Sequence, residues 1–195
     1  MKKKYLAYFF TIQLLVSPLA SAHSLEMVSA SSLISGVLHP LLGLDHLVIL
    51  LAMGMIVGKL TKTKQVGALC CTALVALMVV GLVVGLVAGA HVGAPDVIEI
   101  IIAGSIFLAA FALWQSTSSH GIAKILFVLS SVTLLAHGWA HGVEMGHASI
   151  VMFTLGMGMS SMLCTAIGVY LAQRISAPIL ASTVASSGLL LTMIG

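Results

Sequence analysis

Charge is what this chain of 195 residues has least of: Asp and Glu number 5 in all, and charged residues make up 7% of the sequence. Ordinary soluble domains carry about 25%, so a water-facing globule is excluded. With 60% hydrophobic residues and a mean hydropathy of +1.20, the solvent of this chain is a bilayer. Three of its basic residues are Lys2, Lys3 and Lys4, and the others are scattered over short loops, which leaves no basic face for nucleic acid. Cysteine is scarce too. Cys70, Cys71 and Cys164 lie in apolar runs without the spacing of a zinc-binding motif, and they read as packing residues. A phosphate-binding loop of the form G-x-x-x-x-G-K-[ST] is missing, so the chain carries no ATPase of its own.

What is present is a succession of apolar runs. Lys2 to Lys4, the apolar stretch Tyr5 to Val16, and Ser17 to Ala22 with its Ala20-x-Ala22 read as a secretory signal peptide over residues 1–22, removed by cleavage. His23 would then begin a single domain, 23–195. Further runs at Leu33 to Gly58, Val66 to Ala90, Val97 to Trp114, Ile122 to Ala136, Ile150 to Ala172 and Ala177 to Ile194 predict an all-α membrane protein with six transmembrane helices. The fourth run is short unless it continues to Ala140. In the first, Pro40 lacks a donor and Gly43 tolerates unusual dihedrals, so that span is expected to break there. Lys59, Lys62, Lys64, Lys124 and Arg174 fall in alternate loops, which the positive-inside tendency assigns to the cytoplasm. Both mature termini are then expected on the periplasmic side of a bacterial inner membrane.

Ionisable groups placed in lipid are expensive and mark sites or pathways. Two clusters stand out: His39-Pro40-Leu41-Leu42-Gly43-Leu44-Asp45-His46, and His137-Gly138-Trp139-Ala140-His141-Gly142-Val143-Glu144. His39 and His46 share a helical face but stand about 10 Å apart on an ideal helix, too far for one ion unless the chain breaks between them. A break at Pro40 and Gly43 lets His39, Asp45 and His46 converge, since non-helical backbone is tolerated where it lines a cavity. In the second cluster His137, His141 and Glu144 fall at i, i+4 and i+7, so one helical face presents two imidazoles and a carboxylate to a single metal. Gly138, Gly142 and Gly146 form a neighbouring stripe suited to close helix packing.

Imidazole with a few carboxylates suits nickel, cobalt, zinc or copper rather than magnesium or calcium, and ligand type does not choose among the four. Glu99, about two residues inside the outer end of the third run, is a further candidate because a bound cation eases a carboxylate in that position. His23, once freed, offers an α-amine and an imidazole as an outer capture site. His91 and His147 read as loop histidines, and His120 lies on the cytoplasmic side. The methionines read mostly as packing.

At these residues the chain resembles the HupE/UreJ family of nickel and cobalt permeases, which share an exported signal, six spans, and the ordered motifs H-P-x-x-G-x-D-H and H-G-x-A-H-G-x-E. Both are matched in full by His39 to His46 and His137 to Glu144. The chain departs from the family at Ile49-Leu50, where an Ala-Met pair is common, and at Met145-Gly146, where proline often follows the final acid. The resemblance implies secondary uptake of Ni²⁺, and of Co²⁺, as cargo rather than prosthetic group, with cytoplasmic metallochaperones of hydrogenase or urease maturation as partners. Two other classes stand beside it. An intramembrane zinc hydrolase would use Glu144 as base, but no substrate cleft or oxyanion donor is legible. Axial haem binding by histidines would leave the adjacent Asp45 and Glu144 without a role.

Overall fold

The computed structural model describes residues 32–93, 95–144 and 149–194. The expected signal peptide, His23 and His147 lie outside them. Among the described residues the chain forms seven helices and no strand: α1 (Ser32–Leu42), α2 (Leu44–Leu60), α3 (Lys64–Val92), α4 (Asp96–Gln115), α5 (His120–Glu144), α6 (Ile150–Arg174) and α7 (Ala177–Ile194). By length and composition α3, α4, α5 and α6 can each cross a bilayer, and the pair α1 and α2, bent by 76° at their junction, makes a fifth crossing if it counts as one span. The last apolar helix, α7, is shorter.

Between His46 and Lys59 helix α2 is apolar on every side, and a helix of that kind belongs inside a bundle. It packs against all six of the others, and Ile49, Leu50, Ala52, Met53, Met55, Ile56 and Val57 are all buried. The perimeter is apolar as well: Leu69, Val87, Ile100, Ile125 and Met159 are each more than 60% exposed. In water that surface would be a large unpaired patch, whereas lipid makes it an ordinary exterior.

Small residues set the helix spacing. A Cβ at Gly138 or Gly142 of α5 would fall on the carbonyl oxygens of Met78 and Leu82 in α3, and one at Gly81 or Gly85 of α3 would fall on those of Leu135 and Trp139. The two helices therefore run in contact along their backbones, which fixes the height of α5 against the bundle. Gly54 and Gly168 bring α2 and α6 together in the same way.

The first span breaks at Gly43, as the sequence predicts, but for a different reason. Pro40 is accommodated inside α1, whose last turn closes with Gly43 N–H on the His39 carbonyl at 3.0 Å. Gly43 itself has φ −73° and ψ 104°, dihedrals open to any residue. Space is what demands glycine, because a Cβ there would stand 2.8 Å from His46 Nδ1, 3.3 Å from the His39 carbonyl oxygen and 3.4 Å from Asp45 Oδ1.

One end of the bundle collects the cations. Lys59, in the last turn of α2, donates through Nζ to the Ala172 and Ile175 carbonyls, at 2.5 and 2.8 Å. Those oxygens are left over at the C-terminus of α6, where a positive charge is favourable. Lys64 starts α3, Arg174 ends α6 and Lys124 lies in the second turn of α5. The histidine-bearing ends of α1, α2 and α5 lie at the other end of these helices.

Candidate metal centre

The bend between α1 and α2 folds the first histidine cluster onto the second. His39, in the last turn of α1, has its Nε2 2.7 Å from His141 Nδ1 on α5. His46, in the first turn of α2, lies tilted against His141 at 4.3 Å between ring centroids, edge-on to His137 at 5.2 Å, and 6.0 Å from the His39 ring. Four imidazoles from three helices thus form one nest. Phe153 of α6 closes it, edge-on to His39 at 5.7 Å.

The rings are held from outside. Asp45 Oδ1 accepts from His46 Nδ1 at 2.8 Å, and the Thr133 carbonyl, one turn back on α5, lies 3.2 Å from His137 Nδ1. With those nitrogens occupied, the Nε2 atoms of His46 and His137 point elsewhere, and both are buried without a hydrogen-bond partner, as is Nε2 of His141. His137 is 0% exposed and His141 1%. A buried polar atom with no partner loses its hydration for nothing, at a cost of about 1–3 kcal/mol each, and three of them in one nest ask for a ligand. Imidazole nitrogens with carboxylate and carbonyl second partners are the usual arrangement around a transition metal. As they stand, the rings touch one another: among the described residues no three His, Cys, Asp or Glu side chains are arranged so that they could hold a metal ion together.

The other predicted residues are placed less centrally. Glu144 is the last residue of α5, and its side chain lies outside what is described, as does the whole of His23. Glu99 is exposed in the first turn of α4 and takes no part in the hydrogen bonds or ring contacts of the nest. His91 and His120 are exposed at helix ends. Sequence reasoning missed Trp139: its indole N–H donates to the Gly93 carbonyl at 3.0 Å and ties the turn between α3 and α4 to the stretch of α5 that carries both buried histidines. Its place between His137 and His141 was visible; its partner, 46 positions away, was not.

A multi-pass helical membrane protein with a buried imidazole nest is the class these features define. A family model described as HupE / UreJ protein matches residues 11–195, and the chain belongs to that family. Membership points in general to nickel or cobalt transport, and it does not favour the hydrolase alternative. No curated protein and no solved structure matches the chain.

Proposed function

We propose that the protein is a secondary permease for Ni²⁺, with Co²⁺ as a second substrate, and that His39, Asp45, His46, His137 and His141 form the site through which the ion passes. The observation that carries this reading is the set of three buried, unpartnered Nε2 atoms on His46, His137 and His141. Neutral imidazole is a good ligand for both ions, and the nearby Asp45 carboxylate offsets their charge in low dielectric. Loading the site requires the bond between His39 and His141 to open, which frees one nitrogen on each ring. Glu144, at the end of α5, would receive the ion before the nest, and Glu99 and His23 are assigned outer roles in gathering it.

In this reading α7 is the sixth span, residues 1–22 are the signal peptide, and the cation-rich end is cytoplasmic in the inner membrane. The nest then opens toward the periplasm. A membrane potential negative inside favours inward passage of a divalent ion by about 4.6 kcal/mol per 100 mV, twice the value for one charge, so no nucleotide is needed. Metallochaperones would take the ion on release.

Radioactive nickel uptake into cells expressing the full chain tests the proposal. Uptake is expected with the intact protein and is expected to vanish with His46→Ala; equal uptake by both overturns it.

A further inference from the structure

Outside the nest, two more buried side-chain atoms among the described residues lack a hydrogen-bond partner, Ser130 Oγ on α5 and Thr154 Oγ1 on α6. Thr154 is half-buried, whereas Ser130 is 0% exposed. Serines in helices ordinarily turn the hydroxyl back onto a carbonyl three or four residues earlier. Ser131, Ser160, Ser182, Ser186 and Ser187 all do so in this bundle. Ser130 does not. Its carbonyl takes the Thr133 hydroxyl at 2.7 Å, while its own Oγ bonds nothing.

The position of this hydroxyl is specific. Ser130 precedes His137 by seven residues, which returns it to the same face of α5 within about 20° and places it about 10 Å from His137 along the axis. That step runs away from the nest, toward the end of α5 that carries Lys124. Between the two lies Thr133, whose carbonyl holds the His137 ring. A matching residue occurs on α2, which contacts α5 and leaves the nest in the same direction: Met53, seven residues past His46 and 0% exposed. Each of two facing imidazoles, His46 and His137, is therefore followed two turns further in by a fully buried side chain with a lone-pair donor.

We infer that Ser130, with Met53 at the same depth on α2, forms an inner resting site for the divalent transition metal after it leaves the imidazoles. This rests on the permease reading. A hydroxyl oxygen and a thioether are weaker ligands than imidazole, which suits a site that must take the ion and give it up. The graded sequence is imidazole, hydroxyl with thioether, then water.

The test uses the full-length protein in proteoliposomes and in detergent. Ser130→Ala is expected to bind nickel at the nest with unchanged affinity by calorimetry and to unfold at the same or a higher temperature, because it removes an unsatisfied buried group. Its nickel uptake is expected to fall at least tenfold, and Ser130→Cys, nearly isosteric and still a ligand, is expected to restore most of it. Unchanged uptake in Ser130→Ala overturns the inference. So does a loss of uptake matched by lost nickel binding or a lower unfolding temperature, since that pattern belongs to a structural serine. Failure of the permease reading looks different: the wild-type protein then takes up no nickel and His46→Ala changes nothing.

Discussion

His39 Nε2 and His141 Nδ1 stand 2.7 Å apart and join the end of α1 to α5 across 102 positions of sequence. One ring nitrogen donates and the other accepts, so at least one of the two rings is neutral, the form a metal needs. The bond also latches α1, the first half of the broken span, which otherwise rests on α6 and α2, onto the helix that carries His137 and His141. In the proposed permease site, His39→Ala removes both a latch and a ligand. Nickel affinity of the purified protein, measured by calorimetry, is expected to fall by more than the roughly 10–100-fold lost with a supporting residue.

Asp45 acts through His46. Its carboxylate favours the Nδ1–H tautomer, which leaves the buried, unpartnered Nε2 with its lone pair. Asp45→Asn keeps the volume but can present an amide N–H in place of the acceptor. Nickel affinity is expected to drop about 10–100-fold with the unfolding temperature little changed. A variant that binds as tightly as wild type would remove Asp45 from the site.

Gly43 gives a steric probe of the same geometry. An added methyl would meet the movable ring of His46 at 2.8 Å and the His39 carbonyl oxygen at 3.3 Å, so the ring has to swing and the backbone needs to give only slightly. Gly43→Ala is expected to fold and to lose nickel affinity at least tenfold. Gly104→Ala on α4, where a Cβ meets nothing within 4 Å, is the control and is expected to bind nickel normally.

Much of this fold is legible in hydropathy, because lipid permits few structures other than apolar helices. The fourth run shows where that reading thins: its apolar residues stop at Ala136, yet α5 continues to Glu144. Hydropathy discounts histidine, and here His137 and His141 are as buried as leucine. Pro40 and Gly43 in the first motif announced a break, and the chain bends there by 76°, with the His39 and His46 rings 6.0 Å apart. The motif suggested a dihedral role for Gly43 when the constraint is the room taken by His46 and Asp45. Pairings such as His39 with His141, or Trp139 with the Gly93 carbonyl, depend on which helices become neighbours. No local pattern encodes that, and Ser130 looks like its bonded neighbour Ser131 until the bundle is assembled.

The glycines of α5 separate stability from binding. A methyl on Gly138 would be driven into the Met78 carbonyl oxygen, and one on Gly142 into that of Leu82. Neither oxygen can turn aside, since both belong to the α3 backbone. Relief must come from moving α5 outward, which breaks the packing against α3 and shifts His137 and His141 with it. Gly138→Ala is expected to destabilise the protein by about 1–3 kcal/mol, the usual range for overpacking a close-packed interior, even though alanine is the better helix former in an isolated segment. The measurement is thermal unfolding in detergent with and without nickel. In the wild type, nickel should raise the unfolding temperature through binding to the folded state. In Gly138→Ala the baseline should be lower and the nickel-induced rise smaller. A variant with a lower baseline but a full nickel response would mean that the nest holds its geometry independently of the contact between α3 and α5.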